Sequence, residues 1–538
     1  MKKYFDKNVF KSKIIIFFSI IESFLQIYGY LLSNKKSLLD FGVKELLILI
    51  IFCILFIFIN GILFTIMKVN IAKDENKKFS RRRFVLIWFI LFVMWVPVLL
   101  AFYPSIFAYD AYRQVPHLLG QNLSSFQPVF HTLLIEFFLI VGNKLVNYEF
   151  GLLLYSLFQM LIMSFIFAYT IEKLIYMIKN KKIFYIILSL LIIFYGIIPF
   201  NSVFSISVTK DVLFSGFLLL FIVSFDAIID NNCNNVDSIL FIISSILIML
   251  LKNSVVNTYL VTFLFAVILL KKFVKKKIFK LQVLSFLIYY VIYFTIVLIF
   301  TPEKNYKMEK YNVPMYNLVY TATKHSSVYD DKTLYGYFPR RCFYDDLNVY
   351  VANGHNADMS KESVIYCLNN SINEKKLLSI WANNLFKYPV EYIDSWSNLT
   401  LGSYYLLDTS HTNIYIPKRY MYTSFYRVEF MKDVNTDSKF KSMKKIINKF
   451  TQENIQYEKL SFLRFIFQPA TYILSILLLF LYKIKNSSKD KLLIYIPLLC
   501  NLGAIIIGPC IIVRYIYPFM VSLPYLIIKN FIDNKAIQ

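Results

Sequence analysis

At 538 residues, with 58% hydrophobic and only 17% charged side chains, the chain carries far more apolar surface than one soluble core can use, which excludes a soluble globular enzyme. The formal net charge of +25 is not a nucleic-acid signature, because the cations gather in short loops between apolar runs, where Lys and Arg mark the cytoplasmic side and meet anionic lipid.

Runs long enough to cross about 30 Å of hydrocarbon, roughly 17 to 25 residues as helix, predict twelve spans. They cover residues 13–33, 45–67, 84–103, 150–171, 183–200, 211–228, 238–252, 255–270, 281–300, 462–482, 492–508 and 512–530. The start MKKYFDKNVFKSK is followed by no small-residue cleavage site, so the first run is expected to be a retained helix. A thirteenth run, 128–146, holds His131 and Glu136. If it crossed, the basic cluster at 173–182 would fall outside; laid at the outer interface, it leaves the clusters at 2–13, 68–83, 173–182, 271–280 and 483–491 all inside with both termini.

The expected fold is therefore an all-α polytopic membrane protein. It divides into an N-terminal part (1–83), a transmembrane core (84–300) with an outer loop at 104–149, an extracytoplasmic block (301–460) of soluble-domain size, and three C-terminal helices (461–538). The block holds 17 of the 33 acidic residues. Its two cysteines, Cys342 and Cys367, lie where a disulfide can form, with two free thiols as the alternative. No Walker loop, GxGxxG, GxSxG, HExxH or CxxC motif occurs, so any energy for a reaction must arrive with the substrate or a gradient.

What remains are ionisable residues at the outer ends of spans, which are costly near hydrocarbon. Asp110, in YPSIFAYDAYRQVPHLLG, opens a short amphipathic segment ending at Gly120 and reads either as a helix N-cap or as a general base. Flanking Tyr109 and Tyr112 are expected to dry the carboxylate and lift its pKa, while Arg113, Gln114 and His131 add donors. Lys210 and Asp211 in SVTKDVLF read equally as an interface anchor and an N-cap, or as part of a site. Lys252, in a tight turn between two spans, and Arg514, opening the last, are single cations at the same outer level, where a lone Lys or Arg usually reads as an interface anchor. Converging there, Lys210, Lys252 and Arg514 would hold a membrane-embedded phosphate.

In order along the chain, YPSIFAYDAYRQ with FQPVFHTLLI, SVTKDVLF, LLKNSVVNTYL, EKYNVPMYNLVYTATK, YPVEYIDSWSNLTLGSYYLLD and VRYIYPFMVSLPYL resemble the GT-C superfamily of membrane glycosyltransferases. Within it, the closest likeness is to an uncharacterised bacterial family of polytopic proteins. The resemblance implies a catalytic Asp in the first large outer loop and a polyprenyl-phosphate-linked sugar as donor. The acceptor would be an extracytoplasmic polysaccharide, teichoic-acid-like polymer or lipid. The related family often has two Gln and an Arg where this chain reads VPMYNLVYTATK, and a paired-carboxylate DxD motif is missing beside Asp110. The expected reaction is inverting transfer with Asp110 as general base; whether a divalent metal (Mg or Mn) assists is left open. Rival readings are a polysaccharide polymerase or ligase, and a glycan or lipid flippase, against which the long extramembrane block argues.

Overall fold

The structure, a computed structural model, describes residues 12–74, 77–107, 110–230, 234–270, 272–303, 311–325, 357, 373–408, 434–435, 437–449, 465–486, 489–508 and 510–534. Cys342, Cys367 and Tyr109 lie outside the described residues. Within them the chain is helical, with isolated β-bridges but no strands.

Among the described residues, seven helices are long and apolar enough to cross a membrane: α1 (Lys13–Ser33), α2 (Val43–Met67), α3 (Arg81–Ala101), α5 (Tyr148–Ile175), α8 (Lys210–Ile229), α11 (Lys272–Phe300) and α18 (Val513–Asp533). The other five predicted runs are helical but shorter or broken. Between α5 and α8, α6 (Lys181–Ile192) passes into a π-turn at Ile193–Ile197 and then α7 (Pro199–Phe204). After α8, α9 (Asn235–Leu251) and α10 (Val255–Leu269) have 17 and 15 residues. Near the C-terminus, α16 (Pro469–Asn486) ends in a turn holding Lys483 and Lys485, and α17 (Ile496–Ile506) follows a 3-10 turn at Lys489–Tyr495. The run expected at the interface is α4 (Val129–Leu145), 17 residues long. It folds back on α5 so tightly that a Cβ on Gly142 would sit 2.1 Å from the Cα of Gly151. Only glycine at both positions permits that approach.

Between α11 and α16 lie α12 (Asn312–Lys324), α13 (Glu374–Lys387), α14 (Pro389–Leu399) and α15 (Lys441–Asn448). These are not loose appendages. Asp394 on α14 accepts from Tyr28 Oη at the end of α1 at 2.6 Å, and Gln26 donates to the Tyr404 carbonyl at 2.6 Å. Tyr316 and Asn317 serve as internal ties: Asn398 donates to Tyr316 Oη at 3.0 Å, and Asn317 donates to Ser395 at 2.6 Å.

The centre of the bundle is α8, apolar on every side and 94% buried along its apolar window, packed by α5, α9 and α18. A helix hydrophobic all round belongs in such a core. Its charged residues are at its ends. Asp211 lies 3.8 Å from Arg514 of α18, and Asp226 lies 3.0 Å from Lys529 of α18, so the two helices run parallel with matching 15-residue intervals between their charges. At the second end Lys491 pairs with Asp230 and Lys529 lies 2.5 Å from Asp230 and 3.3 Å from Asp533, giving a compact group of two lysines and three carboxylates. Nearby, Arg83 of α3 pairs with fully buried Glu172 of α5 at 2.5 Å, and Lys173 pairs with Asp237 of α9 at 2.6 Å. Buried charges persist when each finds an opposite partner.

Candidate functional site

At the other end of α8 the chain brings Asp110, Lys210, Asp211, Lys252 and Arg514 together. The positioning starts in the backbone. Ile106 donates to the Ile206 carbonyl at 3.0 Å and Val208 donates back to the Ile106 carbonyl at 2.9 Å, so the loop before Asp110 is bonded to the loop that delivers Lys210 and Asp211. Gln159, buried on α5, donates to the carbonyls of Phe204, Ser205 and Ser207 at 3.0, 3.0 and 2.9 Å and fixes that second loop from below. Buried carbonyls need such donors.

Asp110 does occupy an N-cap position, before the 3-10 turn Ala111–Arg113, but its side chain makes no capping hydrogen bond. Its Oδ2 faces Arg514 Nη1 at 3.2 Å instead. The expected amphipathic segment is two 3-10 turns, Ala111–Arg113 and His117–Leu119, closed by Gly120 at φ +66°, where a side chain would be strained. Arg514 Nε lies 3.8 Å from Asp211 Oδ2, so one guanidinium spans both carboxylates. Asp211 is not the N-cap of α8; Thr209 holds that place and donates to Asp211 Oδ2 at 3.3 Å. The other oxygen, Oδ1, is buried without a hydrogen-bond partner among the described residues.

Lys210 reaches Gln127 Oε1 rather than the membrane edge expected of an anchor. Gln127 links through Gln114 (3.4 Å) to His131 (3.0 Å), then to Tyr155 (2.9 Å) and Gln159 (3.1 Å). Lys252, the C-cap of α9, sits 4.8 Å over the Phe214 ring and 5.8 Å over that of Tyr515, and donates to Asn501 at 3.4 Å. Two aromatic faces hold an ammonium without neutralising it.

The electrostatics correct one expectation. The Tyr112 hydroxyl accepts from Arg113 Nε at 2.8 Å. Burial pushes the Asp110 carboxyl up, but the positive charges of Arg514, Lys210 and Arg113 outweigh it and hold the group below the usual carboxylate range. His131, fully buried, is brought by desolvation and Lys210 to about 3 and is neutral.

Three cations thus meet two carboxylates at the N-termini of two parallel helices, α8 and α18, whose partial positive charges also point there. Any divalent metal would have to displace Arg514 from between Asp110 and Asp211, and the described residues contain no group of three His, Cys, Asp or Glu able to hold one. The residues therefore do not fit a resident metal.

Gln127, Tyr155, Gln159, Asn501 and Tyr515 are part of this arrangement and were not singled out by sequence reasoning. The one signal was FQPVF, a polar Gln beside a helix-starting Pro within an apolar stretch. No curated protein and no solved structure matches the chain. Residues 371–537, which include Arg514, match a family of unknown function (DUF6020).

Proposed function

We propose that the chain transfers a sugar from a polyprenyl-phosphate donor to a hydroxyl acceptor on the extracytoplasmic side of the membrane, with twelve spans and both termini in the cytoplasm. The observation that carries this reading is the excess of cations over carboxylates around Asp110, at two helix N-termini and at one end of a membrane-spanning bundle.

In the proposed step the acceptor oxygen forms a bond to the anomeric carbon as the bond from that carbon to the phosphate oxygen breaks, which inverts the centre. The acceptor proton passes to Asp110, and the departing phosphate is held by Lys210, Lys252 and Arg514. At rest Asp110 is paired with Arg514 and is a weak base. A donor phosphate competes for that guanidinium, and each loosening of the Asp110 pair raises the carboxylate's basicity where the proton is needed. Oδ1 of Asp211, buried with no hydrogen-bond partner among the described residues, offers an acceptor for a sugar hydroxyl.

The test is to reconstitute the full chain in vesicles with polyprenyl-phosphate sugars or lipid-diphosphate oligosaccharides and a membrane glycan extract, and to follow release of polyprenyl phosphate and polyprenyl diphosphate by mass spectrometry. Sugar-dependent release supports the reading. Release from lipid-diphosphate oligosaccharides alone replaces it by a polymerase or ligase, and no release from either sinks it.

A further inference from the structure

At the end of the bundle away from Asp110, a cavity of about 970 Å³ opens between the starts of α3 and α9 and the end of α5. That is the size range of small-molecule sites. Its polar side carries Lys73, Lys77, Lys78, Arg81 and Lys173 against one carboxylate, Asp74. Lys173 is already matched to Asp237 at 2.6 Å, and Lys77 donates to the Ile178 carbonyl at 2.8 Å and lies 3.7 Å from Asp74. Lys73, Lys78 and Arg81 have no anionic partner among the described residues.

The remaining wall is apolar and aromatic. Phe79, Phe84, Phe165 and Tyr169 line it, with Phe84 and Phe165 edge to face at 5.2 Å. Val85 and Val236, 53% and 50% exposed, carry this wall out to the faces of α3 and α9. On α3 it continues through Leu86 and Phe89, 57% and 65% exposed on a helix apolar enough to meet hydrocarbon. Cations on one side and an apolar wall running onto the outside of the bundle suit a ligand with an anionic head and an acyl tail.

We propose that this cavity binds the phosphate headgroup of an anionic membrane lipid, with Lys73, Lys78 and Arg81 as its charge partners and the Phe84–Phe165 wall against its chains. A soluble phosphate compound shares the head chemistry but makes no use of that wall. The site is separate from the Asp110 cluster and does not depend on what that cluster does.

The full chain, purified in neutral detergent, would be exposed to phosphatidylglycerol or phosphatidylcholine of identical acyl chains and read by native mass spectrometry. Phosphatidylglycerol should be retained in preference. The triple variant K73Q/K78Q/R81Q should lose roughly fivefold per cation, since a lysine or arginine near anionic lipid is worth about 1 kcal/mol. K73R/K78R/R81K should retain the lipid, and K181Q/K182Q, at the start of α6, should behave as wild type. Equal retention of the two lipids, or an unchanged triple variant with normal elution, overturns the proposal. Displacement of the lipid by millimolar inorganic phosphate alone overturns the lipid assignment in favour of a soluble anion.

Discussion

Arg514 Nη1 stands 3.2 Å from Asp110 Oδ2 although 404 residues separate them, so the last long helix of the chain completes a loop laid down by its first third. Through Nε the same guanidinium also faces Asp211 at 3.8 Å. A planar fork reaches two carboxylates at once, which a lysine ammonium cannot do with the same geometry.

Replacing Asp110 with Asn removes the proton acceptor and keeps the shape. Transfer in reconstituted vesicles should fall on the order of 100-fold or more, the usual worth of a positioned general base, while insertion and elution stay normal. Near-normal transfer by this variant would remove Asp110 from the chemistry.

Arg514→Lys preserves the charge and loses the bridge. Turnover should drop about tenfold or more, the scale of one lost charge-assisted contact of about 1.5 kcal/mol or above. Arg514→Gln removes the largest of the charges that hold Asp110 down, so the acid limb of the kcat/KM profile should move to higher pH. An acid limb identical in wild type and Arg514→Gln would mean that Asp110 is not the group being titrated.

His131 gives a stability prediction with a definite sign. Its folded pKa, about 3, lies below the unfolded value of about 6.5, so falling pH protonates the unfolded chain first. This residue therefore removes stability as pH falls from about 6.5 towards about 3, at up to about 1.4 kcal/mol per unit, and contributes no slope above that window. Thermal unfolding of His131→Gln in detergent across that window should show a shallower loss than wild type. Parallel curves would contradict a neutral buried imidazole.

At the opposite end of α8, Lys529 lies 3.0 Å from Asp226 and 2.5 Å from Asp230, and Lys491 shares Asp230. Lys529→Met leaves carboxylates buried beside apolar surface, a change that typically costs about 3 to 5 kcal/mol. The apparent Tm should fall markedly, and the combined change Asp226→Asn with Lys529→Met should recover part of the loss. Additive losses in the double variant would show that the two groups are not coupled.

Much of the helical layout could be read from hydropathy, because an apolar run of span length has few alternatives to helix. Its limits are equally physical. Lys252 lies within a predicted run, 238–252, yet it is the C-cap that ends α9 and sets aside a polar corner there. The path from Gln127 through Gln114, His131 and Tyr155 to Gln159 was invisible because single polar residues among apolar ones carry no periodicity; only packing shows that they touch. The Asp110 carboxyl was expected to rise beside tyrosines and instead falls beside a cation supplied from the far end of the chain. Asp226 and Lys529 were read as parts of greasy runs, since neither sequence neighbourhood reveals that the other lies across from it.

The equal intervals on α8 and α18 also bear on how a substrate arrives. Fifteen residues of helix rise about 22 Å, so the layers marked by Asp211–Arg514 and Asp226–Lys529 are closer together than the roughly 30 Å of hydrocarbon in a typical bilayer. Centred in such a bilayer, each layer falls about 4 Å inside the hydrocarbon boundary. The phosphate of the proposed polyprenyl-phosphate donor, held at Arg514, would then already be below the headgroup plane with its tail among the lipid chains. The natural approach for such a molecule is sideways between helices, and only the acceptor has to descend from water.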